Sequence, residues 1–134
     1  MAASQDFTTP TARARGLGSA KAGTEHHIRQ RVSAIALALL VPWFLFSVIR
    51  ASQAGFEGAQ AWAGQPWNAI LLLLTFSAAF YHMRLGMQVV IEDYIYNTGL
   101  KSGLLIANTF AAIALFAITA LSVLNIWISA GAAA

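Results

Sequence analysis

The chain has 134 residues, 58% of them hydrophobic and only 10% charged, with a mean hydropathy of +0.64. That balance is too apolar for a soluble domain of this size and marks an integral membrane protein. There is no cysteine, which excludes disulfides, iron–sulfur clusters and thiolate-bound zinc, so any metal must come through histidine, methionine or carboxylate.

The net charge is +3. Five of the eight cations, Arg13, Arg15, Lys21, Arg29 and Arg31, precede the first apolar run, and none belongs to a basic patch interleaved with aromatics. The charge therefore signals membrane topology, and nucleic acid is not an expected partner. Residues 1–31 are polar and hold no apolar core of the kind a cleavable secretory signal needs, although their Arg-rich, acid-poor character has something of a transit peptide.

An all-α membrane protein with three transmembrane helices is predicted, at 32–50, 67–91 and 103–128, each long enough for a hydrocarbon layer about 30 Å thick. By the positive-inside rule residues 1–31 are cytoplasmic, 51–66 form a periplasmic loop, 92–102 a cytoplasmic loop and 129–134 a periplasmic tail. Trp62, Trp67 and Trp127 then fall at the outer interface and Tyr94 and Tyr96 at the inner one, where amphipathic rings prefer to sit. The loop 51–66, with Gly55, Gly58, Gly64 and Pro66, is expected to be irregular. Pro42 should kink the first span, and the alanines of the first and third spans permit close helix contact.

The chemistry concentrates on the second span. His82 is an ionisable side chain at membrane depth, which is costly unless paired, hydrated or bound to metal. From His82 to Asp93 is eleven steps of about 100°, within about 20° of whole turns, so both lie on one face with Gly86 between them. Glycine one turn from the imidazole leaves room for a flat macrocycle against the helix, and axial imidazole in an apolar wall is what a haem iron takes. The competing role for His82 is a hydrogen bond to a Ser or Thr of a neighbouring helix. A second stripe, Arg84, Gln88 and Glu92, lies about 160° away and must meet a helix, a cleft or a partner, unless Arg84 only pairs with Glu92 or lipid phosphate. At the edge, Asp93 and Tyr94 suit a carbonyl head group whose tail remains in lipid, while an aromatic-belt role is the commoner one for a tyrosine at that depth. Before the first span, Arg31 is better placed than Arg29 for a buried anion such as a propionate. His26 and His27 sit at the polar surface.

The run from His82 through Gly86 and Gln88 to Asp93-Tyr94 resembles the His-x3-Gly-x-Gln-Val-x3-Asp-Tyr signature of the small hydrophobic membrane-anchor subunit of succinate dehydrogenase, respiratory complex II. Gly18-Ser19-Ala-Lys21-x-Gly23 and Arg31-Val-Ser-Ala-Ile are similar too, and the resemblance covers most of the chain from about residue 16. It implies a four-protein complex with a flavoprotein, an iron–sulfur protein and a cytochrome b556-type second anchor, in the bacterial inner membrane rather than the mitochondrial one. In that family the histidine matching His82 is an axial ligand of haem b shared with the second anchor. The tyrosine matching Tyr94 hydrogen-bonds ubiquinone, the aspartate matching Asp93 supports that site, and the arginine matching Arg31 lies near the haem propionates. An upstream histidine corresponds to His27 or His26. The expected function is membrane anchoring of succinate:ubiquinone oxidoreductase, with dehydrogenation carried out by other subunits. A cofactor-free structural anchor, a fumarate reductase anchor and a homodimeric b-type cytochrome are the alternatives.

Overall fold

The computed structural model describes residues 9–14 and 23–132, so the Gly18-Ser19-Ala-Lys21 stretch of the N-terminal resemblance lies outside the described residues. Five helices are formed there: α1 (Pro10–Ala14), α2 (Gly23–Gln53), α3 (Gly55–Ala63), α4 (Pro66–Tyr94) and α5 (Thr98–Ala132). Three of them, α2, α4 and α5, are long and apolar enough to cross a membrane. Each outruns its apolar stretch, because helical hydrogen bonding continues past the hydrocarbon boundary. The 29 residues of α4 extend about 44 Å at 1.5 Å per residue.

Local chemistry sets the ends of α4. Gln65 is extended and Pro66 opens the first turn, where its fixed φ suits the helix and its missing N–H leaves no orphaned donor. At the other end, Lys101 Nζ donates to the Glu92 carbonyl oxygen at 2.9 Å, satisfying a terminal acceptor. Three residues later α5 begins, capped by Asn97, whose Oδ1 accepts from the Leu100 N–H at 3.0 Å. So tight a connection forces α5 back along α4.

Residues 51–66, expected to be irregular, contain the two-turn helix α3 instead. The glycines punctuate it rather than dissolve it. Gly55 takes φ +71, which turns the chain out of α2. Gly64 comes so close to α5 that a Cβ there would overlap that of Ala130. Between them Trp62 packs on Trp43 of α2, ring centroids 6.2 Å apart, and Asn68 Nδ2 donates to the Trp62 carbonyl oxygen at 2.7 Å.

The long helices form a row with α4 in the middle. It packs against α2 and α5, which do not meet each other, while α3 contacts all three. The packed core lies at the α3 end, around Ala69, Leu72 and Val123 with Trp43, Phe44, Trp62 and Phe76 against them. Phe44 meets Phe76 edge-on at 5.6 Å, and Phe76 stacks on Phe80 at 6.0 Å. Large apolar side chains such as Leu39, Phe46, Phe110 and Ile113 point outward. A surface of that kind is satisfied by lipid or by other membrane helices, not by water.

Candidate functional site

His82 lies away from that core, in the half of α4 that ends at Tyr94, and is half-buried. Its Nδ1 is 2.9 Å from Oγ of Ser33, a buried hydroxyl on α2. Ser33 Oγ also donates to the carbonyl oxygen of Gln30, at 2.9 Å. The histidine therefore has a hydroxyl partner on a neighbouring helix, the arrangement set against haem ligation in the sequence. The two are compatible, since the bond engages one ring nitrogen and metal-ligating histidines ordinarily have their other nitrogen held by an acceptor.

One turn from His82, a Cβ built on Gly86 would meet no atom within 4 Å. That face of α4 is open beside the imidazole. Leu85, 3% exposed, packs inward from the same turn.

The second stripe divides. Arg84 turns to α5, its Nε donating to Thr109 Oγ1 at 3.2 Å, while Asn108 Nδ2 donates to the Arg84 carbonyl oxygen at 2.9 Å. Gln88 donates to Glu92 Oε1 at 2.8 Å, so Glu92 is engaged by Gln88 rather than by Arg84. Arg84 borders an apolar cavity of about 400 Å3 between α4 and α5, with Phe80, Tyr81, Ile113 and Phe116 in its walls.

Asp93 and Tyr94 occupy the last two positions of α4, both exposed, and neither side chain hydrogen-bonds another described residue. Tyr94 borders a second apolar cavity, about 440 Å3, whose walls include Met87, Val90, Leu104 and Ala107. A phenol at the mouth of a greasy cavity is suited to hold the polar head of a molecule whose tail lies in lipid.

On the polar end of α2, Arg29 pairs with Glu25 and lines a cavity of about 570 Å3 that adjoins Ser33. Arg31 is exposed and has no partner among the described residues, as does His27. His26 differs from its neighbour: its Nε2 is buried and unpartnered among the described residues. No cluster of three His, Asp or Glu able to hold a metal ion occurs among the described residues. A single imidazole would thus supply one ligand, not a complete site.

Three polar residues of this region were not singled out from the sequence. Ser33 enters only as a member of the Arg31-Val-Ser-Ala-Ile run, with no role of its own. Asn108 and Thr109 left a trace, a polar pair in the middle of the third apolar run, but nothing in the pattern connects them to Arg84.

Residues 5–124, a span that includes His82, Asp93 and Tyr94, match the family described as succinate dehydrogenase/fumarate reductase transmembrane subunit. The chain is similar to proteins named succinate dehydrogenase hydrophobic membrane anchor subunit. That of Rickettsia conorii is 37% identical over 102 residues, 75% of this chain and 81% of that protein. That of Rickettsia bellii is 38% identical over 102 residues, 76% and 82% of the two chains. That of Paracoccus denitrificans is 35% identical over 104 residues, 78% and 81%. No solved structure matches the chain.

Proposed function

Because this chain belongs to the family of succinate dehydrogenase/fumarate reductase transmembrane subunits, we propose that it is the hydrophobic membrane anchor of a succinate:ubiquinone oxidoreductase. It holds a flavoprotein and an iron–sulfur protein at the cytoplasmic face of the bacterial inner membrane, beside a second, cytochrome b556-type anchor. The cations that precede the apolar stretch of α2 favour a cytoplasmic N-terminus, and with it α4 ends inside as well, where Tyr94 meets the soluble subunits. Dehydrogenation of succinate takes place outside this chain.

The observation that carries the proposal is the half-buried His82, held through one ring nitrogen by Ser33 beside the open face at Gly86. These residues fit haem b: His82 would hold the iron through Nε2, the second anchor would supply a further ligand, and Gly86 leaves room beside the imidazole. Bound there, the haem supplies a one-electron store within the membrane. Arg31, unpaired where Arg29 is paired with Glu25, is free to meet a propionate, and His27 stands nearby at the polar end of the same helix.

Ubiquinone reduction falls to the end of α4. The Tyr94 hydroxyl donates a hydrogen bond to a quinone carbonyl oxygen, and that bond strengthens as negative charge grows there during reduction. Asp93, exposed and unpaired at the adjoining position, helps organise proton supply from cytoplasmic water. The apolar cavity beside Tyr94 suits the isoprenoid end of the molecule.

The test separates the two halves of the reaction. Tyr94→Phe in the purified complex should impair succinate-dependent ubiquinone reduction and leave succinate oxidation by a soluble dye intact. Equal loss of both activities would refute the assignment.

A further inference from the structure

We infer that Ser33 is a positioning residue for His82: it holds the imidazole in the tautomer with its proton on Nδ1 and leaves the Nε2 lone pair as the only one able to bind a metal. This rests on the proposal that His82 ligates haem, but the hydrogen-bond count behind it does not. A serine hydroxyl has one proton to donate and two lone pairs to accept with. Ser33 directs its proton to the Gln30 carbonyl oxygen at 2.9 Å, within its own helix. With that proton so placed, its 2.9 Å contact with His82 Nδ1 runs the other way, Nδ1–H donating to the serine oxygen. Neutral imidazole carries a single N–H, so Nε2 is bare.

Among the described residues the His82 ring has no hydrogen-bond partner other than Ser33. Ser33 is itself satisfied by Gln30, so the lone pair it presents to α4 is not needed to fold α2. Its effect falls on His82. Without it the ring is free to rotate and to move its proton, and either change disturbs ligation.

An acceptor on Nδ1–H makes an imidazole a stronger donor to the iron and favours the oxidised state. Ser33→Ala should therefore raise the haem midpoint potential in the purified complex. The expected change is on the order of tenfold in the oxidised-to-reduced ratio, about 59 mV for a one-electron couple. The low-temperature electron paramagnetic resonance signal of the ferric haem should shift too, as the ring plane is no longer fixed. Ser33→Thr keeps the hydroxyl and should restore both. A Ser33→Ala complex with wild-type potential and resonance would overturn the inference, as would Thr shifting both as far as Ala does. Should Ala lose the haem altogether, retention by Thr supports the inference and loss by Thr refutes it. His82→Ala separates the two levels: an unchanged haem spectrum in that variant sinks the ligand assignment itself, whatever Ser33 does.

Discussion

Asn108 on α5 donates from Nδ2 to the backbone carbonyl oxygen of Arg84 on α4, 2.9 Å away, and the next residue along, Thr109, accepts from the guanidinium of the same arginine at 3.2 Å. Arg84 is thereby tied at both its backbone and its side chain to one turn of a neighbouring helix. The guanidinium thus meets a neighbouring helix rather than Glu92, which Gln88 engages.

The two ties should differ in strength. Interhelical hydrogen bonds in membranes average about 0.6 kcal/mol and reach about 1.7. Asn108→Leu, which removes a bond to a neutral carbonyl, should cost near the average. Thr109→Val leaves a guanidinium short of a partner and should cost near the maximum. Arg84→Leu combined with Thr109→Val should recover much of that loss, since both partners are then apolar. Thermal unfolding of the detergent-extracted complex measures all three, and strictly additive losses would argue against coupling.

His82→Ala should abolish or alter the haem absorption of the purified complex in a reduced-minus-oxidised spectrum. An unchanged spectrum, with the same co-purifying chains, would leave a cofactor-free anchor as the better account of this subunit.

Gly64 lets α3 close against the end of α5. Gly64→Ala puts a methyl group into Ala130 and should destabilise the chain by about 1–3 kcal/mol, as over-packing does. Adding Ala130→Gly should relieve most of it. If the second substitution makes matters worse, the contact between α3 and α5 is not the cause.

Asn97→Ala should loosen the start of α5 by about 1 kcal/mol, the usual loss when an N-cap oxygen is removed. Hydrogen exchange would quicken in the first turn of α5 and stay unchanged near Val123. Asn97→Asp, which keeps the oxygen, should behave as wild type. Uniform acceleration along α5 would show that the cap has a wider role than closing the turn.

Much of this arrangement was legible in the residues. Apolar runs too long for any other element gave the spanning helices, and the eleven-residue interval from His82 to Asp93 gave their common face, which the unbroken α4 preserves. The segment after α2 reads as a loop because of its four turn-forming residues, whereas Gly55 and Gly64 sit at the ends of α3 and the stretch between them is free to coil. The partner of His82 was foreseen as a type of residue, not as Ser33, since nothing in a single chain specifies which turns of two helices lie side by side.

The sequence by itself determined the number of spans, the helix that bears the ionisable groups and the edge at which the acid and phenol sit, because hydropathy and helical period depend only on neighbours along the chain. Only the tertiary structure decided that α4 stands between α2 and α5, that Ser33 meets His82 and that Arg84 faces Thr109. Those pairings depend on how helices rotate and slide against one another. In lipid that is settled by side-chain packing and a few hydrogen bonds, with no difference in hydrophobicity to announce it in advance.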